Sequence, residues 1–245
     1  VQGTSELVLE GSFLEQDLIF VEEEGRYWAL VGVDAFTSPG SYPLTLTVTE
    51  TQTGDRLTMR QAVTVTKADF PTYDVPVPPE RQGLLDPEVV QAERTKVNRV
   101  FGVFSPEQEW AGTFDTPLKG DLRVTAPFGQ RRSYAGGPVT SYHTGQDLGA
   151  DKGKPVLAPI TGTVALAEKL QVRGKAVLLD HGLGVFSGFW HLSQIDVEEG
   201  QVVGRGERIG LVGSTGLSTG PHLHWEMRVH NVPVHPMQWT RRAFP

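Results

Sequence analysis

Residues 222–229 read His-Leu-His-Trp-Glu-Met-Arg-Val, so Leu223, Trp225, Met227 and Val229 alternate with His222, His224, Glu226 and Arg228. Strict alternation belongs to an extended strand, whose successive side chains leave on opposite faces. The same period recurs at 44–49, where Leu44, Leu46 and Val48 alternate with Thr45, Thr47 and Thr49. Segments 7–9, 18–21, 27–33 and 62–65 are similar, with turn residues at Gly25, Ser38-Pro39-Gly40 and Gly54-Asp55. The chain is predicted to be mostly β. About six short strands at regular spacing make residues 1–67 a small β-sandwich accessory domain.

Residues 68–118 differ in texture. Pro71, Pro76, Pro78 and Pro79 predict an extended connector, and Asp86-Pro87-Glu88 supplies the cap, first position and first-turn acid of a helix reaching about Phe101. Val90, Val97 and Phe101 form its weak apolar stripe, expected to dock on a domain. Strand and Gly-turn signals resume at Leu122, which makes 119–245 a C-terminal antiparallel-β domain.

Several classes are excluded. With no cysteine, the chain has no disulfides, thiolate metal sites or Cys nucleophile. No run approaches the ~18 apolar residues of a membrane span, so no stable membrane insertion is expected. The net charge of −7 resides in residues 1–70, which hold 11 acidic and 4 basic residues; the remainder is balanced and shows no basic stripe that would bind nucleic acid. Because the sequence starts at Val1, a signal sequence is expected to have been removed.

All seven histidines lie in the last 103 residues. His222 and His224 share a strand face but stand roughly 6.5 Å apart along the backbone. Two ligand atoms on one Zn²⁺ lie within about 4 Å of each other, so the easier geometry makes one histidine a ligand and leaves the other beside the metal as a base. His143 and Asp147 would be about 13 Å apart on a straight strand. A bend at Gly145 is expected to turn both inward. Three protein ligands and one open position make a catalytic zinc site rather than a structural one. The pieces fit a hydrolase.

These residues resemble the lysostaphin and LytM-type zinc endopeptidases, which cut peptidoglycan peptides. The resemblance rests on His143-Thr-Gly-Gln-Asp147, Trp190-His191-Leu192 and His222-Leu-His224. Pro155-Val-Leu-Ala-Pro159, Gly162-Thr-Val164, Asp180-His-Gly182 and the run from Gly213 to Glu226 extend it over roughly 120–240. Gln146 and Trp190 depart from the usual residues at positions that are not presumed ligands. The resemblance implies that His143, Asp147 and His224 hold one zinc per chain and that His191 and His222 are catalytic. It also implies a metalloendopeptidase with an active-site groove, acting on peptidoglycan peptides in the periplasm or outside the cell. In that mechanism His222 would be the general base and His191 would donate to the oxyanion. The sequence leaves the oligomeric state open.

Other features have blander readings. His181 is expected to stabilise a turn, and His230 and His235 to be surface or tail residues. Glu226 could orient His224 or form a cross-strand ion pair. Gly216-Leu-Ser218-Thr-Gly220 matches a serine-hydrolase elbow, but Pro221 and a strand follow it where a helix is required. Segments such as Gly162-Thr-Val164 are similar in layout to a lipoyl or biotinyl carrier, which would leave the histidines unexplained. The rival reading of the whole is a catalytically silent scaffold that binds peptidoglycan or activates another hydrolase. The acidic N-terminal domain is a spacer, a wall-targeting module or an inhibitory cover; as a cover, its removal near residue 115 is expected to raise activity.

Overall fold

The computed structural model describes residues 7–134 and 136–245, and the chain divides into two compact units between Asp69 and Phe70. The N-terminal unit contains β1 (Leu7–Phe13), β2 (Gln16–Asp17), β3 (Val21–Glu23), β4 (Arg26–Trp28), β5 (Gly40–Glu50) and β6 (Arg56–Val65). One antiparallel sheet has the order β2-β1-β5-β6, and β3 and β4 form a separate hairpin. Phe13, Leu18, Phe20, Trp28, Leu44 and Val63 line an apolar pocket in this unit. Among the described residues this unit thus has one four-stranded sheet and a separate two-stranded hairpin.

The second unit begins with β7 (Thr72–Val75), a 3-10 turn at Pro79–Leu85 and α1 (Pro87–Phe101). The Asp86 carboxylate accepts hydrogen bonds from the amides of Glu88 (2.8 Å) and Val89 (3.4 Å), satisfying donors that a helix start leaves free. The buried stripe of α1 is Glu93, Val97 and Phe101, at a spacing of four. Val97 and Phe101 pack with Leu166, Leu178, Phe186 and Trp190 in the core. Residues 70–118 therefore pack within the second unit: Trp110 and Phe114 are buried against Trp239, and β7 pairs in parallel with a later strand.

The later strands are β8 (Arg123–Ala126), β9 (Arg131–Tyr134), β10 (Ser141–Tyr142), β11 (Gly145–Gly149), β12 (Pro155–Leu157), β13 (Gly162–Lys169), β14 (Lys175–Asp180) and β15 (Val185–Leu192). After them come β16 (Gln194–Ile195), β17 (Val202–Val203), β18 (Arg208–Leu211), β19 (His222–Val229) and β20 (Val232–Val234), with the short helix α2 (Pro236–Trp239) near the end. The main sheet has the order β17-β13-β14-β15-β19-β11-β8, and β20 pairs with the end of β19. Its ladders are antiparallel, as expected. β19 sits between β11 and β15, so the alternating strand is central, with Leu223, Trp225 and Met227 at 0 % exposure.

Candidate metal centre

The site is assembled by register. In the β11–β19 ladder Asp147 stands opposite His224 and Gly149 opposite His222; in the β15–β19 ladder Trp190 stands opposite His224. Directly opposed residues of an antiparallel pair project to the same face, so Asp147 and His224 meet although 77 residues separate them. His143 precedes β11, and its backbone is held on both sides: its amide donates to Gln130 O and its carbonyl accepts from Gly129 N, each at 2.8 Å.

Three side-chain atoms converge. His143 Nε2 is 2.8 Å from His224 Nδ1 and 3.0 Å from Asp147 Oδ1, and His224 Nδ1 is 2.9 Å from Asp147 Oδ1. Together these residues form a group able to hold a metal ion. The edges are slightly shorter than the ~3.3 Å between two ligands 2.0–2.1 Å from a tetrahedral ion. His143 Nδ1 donates to Pro127 O (3.0 Å), which leaves the Nε2 lone pair facing the cluster.

The charges suit a cation. Burial holds the His143 pKa down to about 4, so it is neutral. Burial opposes charge on Asp147, but His143 and His224 outweigh it and keep the carboxyl well below its ordinary value. Burial likewise opposes charge on His224, yet Asp147 and Glu226 raise its pKa. The two carboxylates thus favour positive charge on His224 from two edges of its ring, Asp147 at Nδ1 and Glu226 at Nε2. Glu226, 1 % exposed, lies behind His224, with Oε2 at 3.6 Å from Nε2; it accepts from Trp190 Nε1 (3.1 Å) and Arg228 Nε (2.7 Å). It stands as a charge neighbour of His224 and pairs with a cation, and that cation is two residues along its own strand rather than across a ladder. Arg132 Nη2 lies 3.4 Å from Asp147 Oδ2, the oxygen turned away from the cluster.

Gly145 contributes through its missing side chain. It keeps an ordinary backbone, but a Cβ there would lie 2.5 Å from Trp225 O and 2.6 Å from His224 Nε2. The expected bend at Gly145 is corrected: Gly145 opens strand β11, and the chain turns ahead of it, at Thr144.

His191 reaches the same face by a different route. It follows Trp190, so ordinary alternation would send its ring to the opposite face. The β14–β15 register shifts here, with Val177 opposite Phe189 but Lys175 opposite Leu192, and His191 has φ 64°. A left-handed backbone at a non-glycine residue is strained and needs support from its surroundings. His191 N donates to Arg173 O (3.0 Å) and Nδ1 to Thr215 O (2.8 Å). The ring centroid then lies 4.9 Å from that of His222 and 6.2 Å from that of His224. His222 Nδ1 is bound to Gly220 O at 2.8 Å, and its Nε2 lies 3.7 Å from Asp147 Oδ1. Both rings therefore carry Nδ1–H and present a bare Nε2 when neutral. Burial and the neighbouring His222 and His224 hold the His191 pKa down to about 3.

The remaining histidines lie elsewhere. His181 is fully buried between Thr161 O (2.8 Å) and Ser187 Oγ (2.7 Å), a structural link beyond the expected turn. His230 stacks on Phe104, and His235 Nδ1 accepts from Met237 N as the cap of α2. Ser218 Oγ is committed to Gly220 O at 2.8 Å, and β19 rather than a helix follows, so no nucleophile elbow forms. Sequence reasoning passed over Arg132 and Glu93; the latter's fourfold spacing with Val97 and Phe101 was the available signal.

Residues 141–236 match the profile of Peptidase family M23. Over 97 % of this chain, and 88 % of the other, the fold follows the crystal structure of a protein assigned to peptidase M23 from Pseudomonas aeruginosa, at 31 % identity and a TM-score of 0.69. The chain belongs to peptidase family M23. Among curated relatives, the M23 chain is 42 % identical over 118 residues to the DD-carboxypeptidase/endopeptidase Mpg of Neisseria meningitidis, covering 47 % of this chain and 26 % of that protein. It is 38 % identical over 125 residues to the peptidoglycan DD-endopeptidase ShyA of Vibrio cholerae, covering 50 % and 28 % respectively. The M23 chain spans about a quarter of the length of these relatives.

Proposed function

We propose that this M23 chain is a zinc-dependent endopeptidase that hydrolyses peptide bonds of bacterial peptidoglycan stem or cross-bridge peptides. The observation that carries the reading is the convergence of His143 Nε2, Asp147 Oδ1 and His224 Nδ1 within 2.8–3.0 Å of one another, with His191 and His222 alongside. A two-nitrogen, one-oxygen donor set without thiolate suits Zn²⁺, and three ligands leave a position open for chemistry. The DD-endopeptidase names of the relatives favour a D,D-peptide bond, and with it the cell envelope as the place of action. No helix among the described residues is long and apolar enough to cross a membrane.

In this reading His143, Asp147 and His224 hold one zinc per chain, which when bound polarises the scissile carbonyl and acidifies the attacking water. His222 keeps Nδ1–H on Gly220 O, so its Nε2 takes the water's proton and later delivers it to the departing amine. His191 faces a constraint that its sequence pattern does not carry. With Nδ1–H on Thr215 O, its neutral ring offers Nε2 only as an acceptor. It therefore accepts a hydrogen bond from the attacking water and orients it, rather than donating to the oxyanion as the resemblance implied.

The test is muropeptide analysis of purified sacculi digested with the zinc-loaded chain, alongside elemental analysis. Release of cross-link cleavage products at about one zinc per chain supports the reading. A zinc-loaded chain that leaves sacculi uncut would instead be the silent scaffold.

A further inference from the structure

The strained backbone of His191 is not supported by the M23 segment alone. Its amide hydrogen bonds to Arg173 O, in the β13–β14 hairpin, and the tip of that hairpin is fastened to α1, which lies outside residues 141–236. Glu93 of α1 is 7 % exposed, and its carboxylate gathers three donors: Val172 N at 2.7 Å, Arg173 N at 3.0 Å and Arg173 Nη1 at 3.0 Å. A buried carboxylate is costly unless its lone pairs are used, and here two backbone amides and a guanidinium use them. The hairpin tip in turn holds the loop beside the catalytic face. Val172 O accepts from Leu217 N (2.7 Å), and the Lys175 amide donates to Thr215 Oγ1 (2.8 Å). Thr215 O is the acceptor for His191 Nδ1. Arg173, held by Glu93, also lies over the Trp190 ring, 5.2 Å from its centroid.

We propose that Glu93 is a positioning residue for His191: it anchors the 172–173 hairpin tip whose carbonyls fix the His191 amide and the loop that fixes the His191 ring, which makes α1 a working part of the catalytic unit. The anchor at His191 N leads directly to this hairpin tip; Thr215, the partner of Nδ1, is held by the same hairpin through Lys175 N and also by β15 through His191 O (3.3 Å) and Leu192 O (2.8 Å). When the anchor is lost, the strained φ relaxes and the ring swings off the face of His222. Small misplacements of a catalytic group cost rate rather than ground-state binding, up to about 10² for 1 Å.

The inference rests on the endopeptidase reading for its kinetic arm but has an arm of its own. Glu93→Ala and the near-isosteric Glu93→Gln are compared with Lys96→Ala, which removes an exposed ion pair to Glu168 from the same helix. The measurements are kcat and KM on a soluble cross-linked muropeptide, zinc content, and amide exchange at His191. Glu93→Ala is expected to lower kcat about 10- to 100-fold, with KM within about twofold, one zinc retained, and His191 exchange accelerated at least about tenfold. Glu93→Gln should fall between it and the unmodified protein, and Lys96→Ala should match the latter throughout. The proposal is overturned by unchanged His191 exchange, by kcat within twofold in both Glu93 variants, or by losses that simply follow zinc. It is equally overturned if neither Glu93 variant folds, because the residue is then a general stability element. If the unmodified protein cuts nothing, the endopeptidase reading fails, while the exchange arm still decides the role of Glu93.

Discussion

Asp147 and His224 face each other across the β11–β19 ladder, with Oδ1 and Nδ1 2.9 Å apart. Their pairing makes the candidate metal centre a property of strand register, and His143 completes it from the turn before β11. Ligands and proton carriers should therefore respond differently to mutation. Asp147→Ala and His224→Ala are expected to lose zinc and activity together. His222→Ala and His191→Ala should retain zinc and lose turnover by about 10²–10⁴, the usual worth of an acid–base group. Zinc content beside turnover for the four variants checks this; an empty site in His222→Ala with a full one in His224→Ala would reverse the assignment.

Gly145→Ala tests the close approach. Its Cβ would press on Trp225 O and the His224 ring, and backbone cannot yield as a flexible side chain does. A destabilisation of about 1–3 kcal/mol is expected, together with weakened zinc affinity. Competition with a chromogenic chelator and thermal melting read the two effects. Unchanged affinity would show that the ladder can open without disturbing His224.

His181 makes stability pH-dependent. Burial holds its folded pKa at about 4, below the roughly 6.5 of an unfolded chain. Between these values the unfolded chain takes up a proton that the native one refuses, so stability falls as pH drops through the window. The contribution is on the order of 3 kcal/mol, at about 1.4 kcal/mol per pKa unit. Urea unfolding at pH 7.5 and 4.5 should show a smaller pH difference in His181→Asn than in the unmodified protein. Equal differences would mean that the ring is protonated in the fold.

Removing the N-terminal unit should succeed only at the right boundary. A chain starting at Phe70 is expected to fold and bind zinc, since β7, α1 and the Trp110–Phe114 aromatics remain with their partners. Deletion through residue 115 strips Val97, Phe101, Trp110 and Phe114 from the core and should leave an aggregating product. The cut near 115 expected from sequence to raise activity therefore cannot test the cover idea. Circular dichroism with zinc content separates the two truncations, and turnover of the chain from Phe70, if no higher than that of the full chain, removes the cover idea.

Local chemistry made much of this legible. Alternation at 222–229 marked a strand with both histidines on one face, and Asp86-Pro87-Glu88 marked a helix start now seen at Pro87. Those signals act over a few residues, where side-chain period and capping are dictated by the backbone itself. The helix stripe was only partly legible, because Glu93 is buried by a hairpin some 80 residues away.

By itself, then, the sequence determined a β-rich chain, an Asp-capped helix, and a set of histidines and one aspartate of the right chemistry for a metal. The tertiary structure decided how they meet: Asp147 opposite His224, His191 turned by a left-handed backbone onto the face of His222, and Gly145 clearing space for a ring. Those outcomes depend on register and on close approach between strands distant in sequence, and no local period encodes which residue will stand opposite which.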